Sequence, residues 1–303
     1  MREIVLPAKE TPKKLENFLK KEFPIGYVRK LFRKNGVRIN SRRAREDDVV
    51  RAGDRIQLYV PFEATKKTLT PSRSSSGFET IFEDEALLVI NKPTGIAVHE
   101  GRTVSKRESI LGILENRYRD SAIAPRLVHR IDKGTSGLLM IAKNQQTAEE
   151  MEDIFESGEV GKEYLCLVVG RVRSTDGEID FPLPGREGSP VRALTRFRVV
   201  KRFSETTLVR VQIETGRLHQ IRLHFAKLGY PVVMDDQHGD FGFNKRFRKE
   251  YGLKRQFLHA EKLKIKYRGK QRAWTAPLAN DLKQVLPLLE NLQSDSARVS
   301  APA

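Results

Sequence analysis

Four short apolar runs recur along the middle of this chain: ALLVI at 86–90, GLLMIA at 137–142, YLCLVVG at 164–170 and TLVRVQI at 207–213. Each is too short for a helix of ordinary length and suits a buried or half-buried strand. Gly, Pro and Asp turns separate them, so residues 79–290 are expected to build a mainly antiparallel sheet in an α+β domain. Helical periodicity is confined to a few stretches such as TAEEMEDIFESG and DLKQVLPLLENL. No internal repeat is visible. With 39% apolar residues the chain has enough to build a sizeable core.

A different pattern occupies residues 12–62. KKLENFLKKEF sets Leu15, Phe18, Leu19 and Phe23 at helical spacing, and GYVRKLFRKNG repeats this with Val28, Leu31 and Phe32. Gly36, after Asn35, is the expected helix stop. VRIN and RIQLYV alternate like short strands, with Ala52-Gly53-Asp54 as the turn before the second. The second helix carries Arg29, Lys30, Arg33 and Lys34 on its polar side. Residues 63–78, EATKKTLTPSRSSSGF, read as a flexible linker, and the tail 291–303 as disordered.

Charge sharpens the picture. The net charge is +17, yet residues 1–62 carry +8, residues 243–272 carry +10, and the remainder is −1. Two basic patches on an otherwise neutral chain point to a polyanion such as nucleic acid rather than to general solubility. No apolar run nears the roughly 18 residues of a membrane span, and MREIVLPAKE lacks the apolar region of a cleavable signal, so a cytoplasmic protein is expected. Cys166, the single cysteine, excludes internal disulfides and multi-thiolate metal sites. His219 and His224, five residues apart, do not share a face of a strand or a helix, so no metal is expected there. GEVGKEY is two residues short of a phosphate-binding P-loop and lacks its Ser/Thr.

The chemistry concentrates in RLVHRIDKGTSGLLMIAKN, residues 126–144. Asp132 heads a D-K-G turn between two apolar runs. An aspartate there commonly caps its own backbone. If the first strand runs on to Asp132, Arg130 and Asp132 share a face. A carboxylate so placed serves as a nucleophile when a basic partner keeps it ionised despite partial burial.

HRIDKGTSG resembles the HRLD-x-x-TSG signature of the RluA family of pseudouridine synthases, with Ile131 where Leu is usual. In the same order, EDEALLVINKPTGIAVHEG resembles that family's opening strand and NKP-x-G turn. KEYLCLVVG resembles its K-x-Y-x-x-L-V-x-G element, and GRLHQIRLHFAKLGYPVVMDD its GRTHQIR segment, with Leu218 in place of Thr. Residues 12–62 are similar to the αL RNA-binding motif, with Ser41 where a Gly commonly follows the Asn. That module, with DDQHGD and FLHA, matches the branch acting on large-subunit ribosomal RNA.

The resemblance implies an RNA uridine isomerase that needs neither cofactor nor metal and acts as a monomer on ribosomal RNA. It implies that Asp132 is the nucleophile. Tyr164 would pack against the target uracil and take part in proton handling, Arg222 would pair with the aspartate, and Arg130 would enter the gap left by the flipped base. A transfer-RNA substrate, or a non-catalytic RNA-binding or ribosome-assembly role, are the alternatives. A two-carboxylate glycosidase is more distant, since no second acid accompanies the matched residues.

Overall fold

The computed structural model describes residues 2–7, 11–23, 25–59, 77–101, 104–185 and 188–291, leaving aside the side chains of Arg2, Lys21, Ile25, Arg29 and Lys30. The expected linker lies largely, and the expected tail almost wholly, outside the described residues. The chain divides into two compact units, Met1–Ser72 and Arg73–Ala303.

In the first unit, helices Leu15–Glu22 and Ile25–Arg33 pack on a four-stranded antiparallel sheet ordered Arg2–Val5, Arg55–Leu58, Val37–Ile39, Arg42–Arg43. The helical-spacing residues Leu15, Leu19, Phe23, Val28 and Leu31 are buried together with Ile56 and Leu58. Residues 2–5, too short a segment to stand out by periodicity, add a strand through the register Arg2↔Leu58 to Val5↔Arg55.

Two left-handed turns fix this unit's shape. The second helix ends through Asn35 (φ 51°), one residue before the expected Gly36, whose N–H is held by Leu31 O at 2.8 Å. Asparagine tolerates that conformation, and the closure satisfies a terminal helix carbonyl. Asn40 (φ 47°) and Ser41 (φ 68°) form the two-residue turn that pairs Ile39 with Arg42. Both positions keep the positive φ that such a hairpin demands, even with serine in the second.

The second unit is built on a ten-stranded sheet. Its order is Asp176–Ile179, Thr195–Arg202, Thr206–Ile213, Gly161–Val169, Leu258–Tyr267, Ser136–Ala142, Leu87–Lys92 and Glu79–Glu83, with Lys270–Thr275 added to Leu258–Tyr267 and Arg126–Leu127 to Ser136–Ala142. Every described pairing is antiparallel except the central seam, where Ser136 and Gly137 run parallel to His259 and Ala260. Strand alternation sorts the side chains. Leu139, Ile141, Tyr164, Cys166 and Val168 face one core with helices Ile110–Arg117 and Gln220–Lys227. Leu138, Met140 and Ala142 face another, covered by helix Gln145–Glu156. Helices on both faces of a sheet-dominated domain match the expected class. Among the described residues no helix is long and apolar enough to cross a membrane.

The seam is tight. Gly137 has φ 109°, and a Cβ there would lie 2.2 Å from Ala260 O, so only glycine lets the two backbones close. Asp132 sits four positions before this seam, at the middle of the sheet.

Candidate active site

Asp132 lies in a loop. The strand before it covers only Arg126–Leu127, so the condition under which Arg130 and Asp132 would share a strand face is not met, and Asp132 stands in the D-K-G turn. A turn closes instead, with Thr135 N–H donating to Asp132 O at 3.0 Å. Side chains pin the loop from within: Ile131 is buried in the core, and His129 Nε2 accepts Met140 N–H at 2.9 Å while its ring stacks on Phe155 at 4.9 Å. Some surface of His129 stays open, but its Nε2 faces the protein. Burial, with the charge of Lys162 second, pushes its pKa down to about 3 and keeps it a neutral acceptor.

A buried lysine braces the turn from below. Lys92 is fully inaccessible, and its Nζ donates to Pro93 O (2.9 Å) and Ile96 O (3.0 Å), with Lys133 O at 3.5 Å. Burial, helped by Arg255, lowers its pKa to about 7 although Asp132 opposes the change. Gln256 Nε2 donates to Thr135 Oγ1 at 2.8 Å on the other side.

Arg222 is on helix Gln220–Lys227. It is buried, and its Nη1 donates to Asp132 Oδ2 at 3.0 Å. Its Nε and Nη2 grip both oxygens of the buried Asp235, at 2.6 and 2.7 Å. Burial works against both charges, but their pairing outweighs it: the carboxyl of Asp235 is held below, and the guanidinium of Arg222 above, their ordinary values. The N–H groups of Gln237 and His238 also donate to Asp235 Oδ1, at 2.9 and 3.0 Å.

The start of this helix is set by Gln220. Its buried amide donates to Leu194 O and Thr195 Oγ1, while its oxygen accepts from Thr215 Oγ1 and Arg217 N–H. Between them His219 adopts a left-handed φ of 54° and turns its ring to the site. His219 Nε2 lies 3.9 Å from Asp132 Oδ1, and its Nδ1 meets His238 Nε2 at 3.0 Å. His224 is apart, with its ring bonded to Thr195 Oγ1 and Phe181 O. The two histidines weighed as a pair therefore do separate jobs.

Asp132, Tyr164, His219 and Arg222 line one cavity, with Ile213 and Leu258 as its apolar walls. Tyr164, at a bulge in strand Gly161–Val169, is buried. Burial and then the charge of Asp132 push its phenol well above the ordinary tyrosine value. A wider cleft of about 620 Å³ opens beside it, and Asp132, His219 and Arg222 line both. Arg130, Lys133, Arg248, Lys254 and Arg255 give that cleft a basic lining. Arg130 is exposed there, as a residue meant to meet a ligand requires.

The three residues expected at one site, Asp132, Tyr164 and Arg222, are thus brought together, and Arg130 borders them. Arg33 and Lys34 are exposed in the first unit, while the side chains of Arg29 and Lys30 lie outside the described residues. The sequence alone does not mark Lys92, Asp235, His219 and His238 as working groups. Each lies inside one of the motifs above, but its role depends on a partner remote in sequence or on a loop geometry.

Comparison with known proteins agrees with this geometry. Residues 86–227 match the family described as RNA pseudouridylate synthase. The chain is 32% identical to ribosomal large subunit pseudouridine synthase C of Salmonella typhimurium, covering 95% of this chain and 96% of that one. It is 31% identical to the protein of that name in Vibrio parahaemolyticus, covering 90% and 91%. Among solved structures, human RNA pseudouridylate synthase domain containing 4 shares the fold with TM-score 0.60 at 23% identity, covering 70% of this chain and 93% of its own. Human RNA pseudouridylate synthase domain containing 1 does so with TM-score 0.54 at 22% identity, covering 73% and 97%.

Proposed function

The chain belongs to the RNA pseudouridylate synthase family and is an RNA uridine isomerase, and from that premise we propose that Asp132 is its nucleophile and large-subunit ribosomal RNA its substrate. The observation that carries the first part is the Asp132 carboxylate at a cavity wall, one oxygen held by a buried guanidinium. Arginine does not deprotonate at working pH, so it gives that oxygen a permanent positive partner and a fixed direction. The names and near-complete coverage of the relatives support the second part.

Isomerisation exchanges the C1′–N1 bond of uridine for a C1′–C5 bond. It is redox-neutral and neither adds nor removes atoms overall, so the chemistry calls for no cofactor. A base inside folded RNA must first leave its stack, at a loss of a few kcal/mol. Arg130, exposed at the cleft, has the flat charged group that stacks in the vacated gap. Tyr164 offers the uracil a stacking face, worth about 1–3 kcal/mol.

The first unit is read as an αL RNA-binding domain that grips structured RNA through phosphates and shape, with Arg33 and Lys34, and by the same reading Arg29 and Lys30, as contacts. The enzyme would work as a monomer in the cytoplasm, where ribosomal RNA is met. Tritium release from large-subunit rRNA labelled at uridine C5 tests the proposal. Release by wild type and none by Asp132→Asn, at unchanged RNA affinity, is expected. Equal release from both proteins would overturn the role of Asp132.

A further inference from the structure

We propose that His219, backed by His238, is the base that removes the proton from uracil C5, an inference that rests on the isomerase reading above. The reaction needs such a base, because C5 arrives at the new bond still carrying its hydrogen.

Geometry narrows the choice. The base must stand beside the Asp132 carboxylate, since C1′ and C6, the two atoms that carboxylate would attack, are both bonded to C5 in the coupled product. His219 Nε2 is 3.9 Å from Asp132 Oδ1 and lines both the cavity and the cleft. Its other nitrogen is 3.0 Å from His238 Nε2, and His238 is only half-buried, so a path leads from the cavity to water.

The other titratable groups suit the task less well. Tyr164 is held as a phenol by burial, which suits a donor or a platform rather than a base. Lys92 directs its Nζ at backbone carbonyls beneath the turn and does not line the cavity. Arg222 is committed to two carboxylates. Asp132 is a free carboxylate again once C5 is bonded to C1′, with its Oδ2 taken by Arg222 Nη1, and the His219 variant separates its part from that of His219.

His219 is surrounded by Asp132, Arg222, His238 and Asp235, with Arg217 and Arg130 lining the same cavity. Burial dominates this set and lowers its pKa below the ordinary histidine value, which leaves a neutral ring at working pH. In the tautomer that donates Nδ1–H to His238 Nε2, the Nε2 lone pair faces the cavity.

The C5–H bond breaks and its proton passes to His219 Nε2. Its electron pair forms C5=C6, and the C6=N1 pair moves onto N1, which takes a proton from water. The excess proton on His219 leaves from Nδ1 to His238 Nε2 and on to solvent.

Single-turnover rates on rRNA carrying hydrogen or deuterium at uridine C5 test this, with wild type, His219→Gln and His238→Phe. His219→Gln is expected to slow turnover by about 10²–10⁴-fold, the usual contribution of a positioned base. It should also reveal a primary C5 isotope effect absent or small in wild type, and lose the acidic limb of the pH–rate profile. RNA affinity should stay within about twofold. His238→Phe should keep the mechanism but move that limb. A slow His219→Gln enzyme without the isotope effect, its acidic limb intact, would reduce His219 to a structural prop and overturn the inference. So would unchanged turnover. Failure of wild type itself to isomerise uridine would instead sink the reading on which the inference rests.

Discussion

Arg222 meets Asp132 through a single nitrogen, Nη1 at 3.0 Å, because its Nε and Nη2 are already committed to Asp235. The proposed nucleophile is thus aligned by a cation whose own position is fixed elsewhere. A bidentate grip on Asp132 would have tied up both of its oxygens; the single contact leaves Oδ1 facing His219.

Asp235→Asn is expected to be worse for folding than Asp132→Asn. Breaking a buried ion pair costs up to about 3–5 kcal/mol, and Asp235→Asn would leave the buried Arg222 with only its single contact to the partly exposed Asp132. Asp132→Asn leaves Arg222 with its main counter-ion and should shift stability little. Urea unfolding of the two variants followed by tryptophan fluorescence compares them directly, since Trp274 reports on this unit. Equal destabilisation would mean that the Asp235 pair does not carry the position of Arg222.

Arg222→Lys should keep the charge and still lose most of the turnover. A lysine is a point donor and cannot bridge Asp235 and Asp132 together in a fixed fork. The expected signature is a lower kcat at nearly constant RNA affinity, measured by tritium release and filter binding.

Removing residues 1–72 should weaken RNA binding and flatten its salt dependence, by about 0.7–0.9 in log–log slope for each phosphate the protein no longer neutralises. The slope is read from titrations between low and physiological salt. A truncated protein with an unchanged slope would remove the first unit from RNA contact.

Acid should expose His129. Its folded pKa lies near 3, below the ordinary histidine value of about 6.5, so the unfolded chain binds a proton first. The stabilising balance is complete above about pH 6.5 and is lost as pH falls toward 3, at up to about 1.4 kcal/mol per pH unit. The difference in stability between wild type and His129→Gln should therefore shrink on acidification over that window. A pH-independent difference would contradict a neutral buried imidazole.

Ser41→Gly should stabilise the first unit by about 1 kcal/mol, since residue 41 holds φ 68° and glycine adopts it without the Cβ clash. Thermal unfolding of residues 1–72 measures it. A drop in midpoint would indicate that the serine hydroxyl contributes more than the backbone strain removes.

Much of the fold was legible in the sequence, because a strand that buries both faces cannot avoid an apolar run: Leu87–Lys92, Ser136–Ala142 and Gly161–Val169 all lie on such runs. Turn details were harder. Left-handed closure fell on Asn35 rather than Gly36, since either residue tolerates it, and where the strand before the D-K-G turn would stop was open in the sequence, since pairing ends it at Leu127. The motifs of the resemblance named Asp132, Tyr164 and Arg222, whereas Asp235 and His238 read as ordinary loop residues. Their meaning comes from Arg222 and His219, reached only by the bend through Met234 and the left-handed His219, and neither bend has a one-dimensional signature.

The parallel seam at the centre of the sheet also sets a timetable. Ser136 meets His259 across 123 residues of chain, and Asp132 meets Arg222 across 90. Contacts so distant in sequence form slowly, because a long loop must close before they can be made. On the ribosome, Ser136 and Gly137 must wait with one edge unpaired until Leu258–Tyr267 has been synthesised. The enzyme therefore acquires the cavity around Asp132 as one of the last events of its own production, and a chain interrupted before that strand would hold Asp132 without the seam that sets its place.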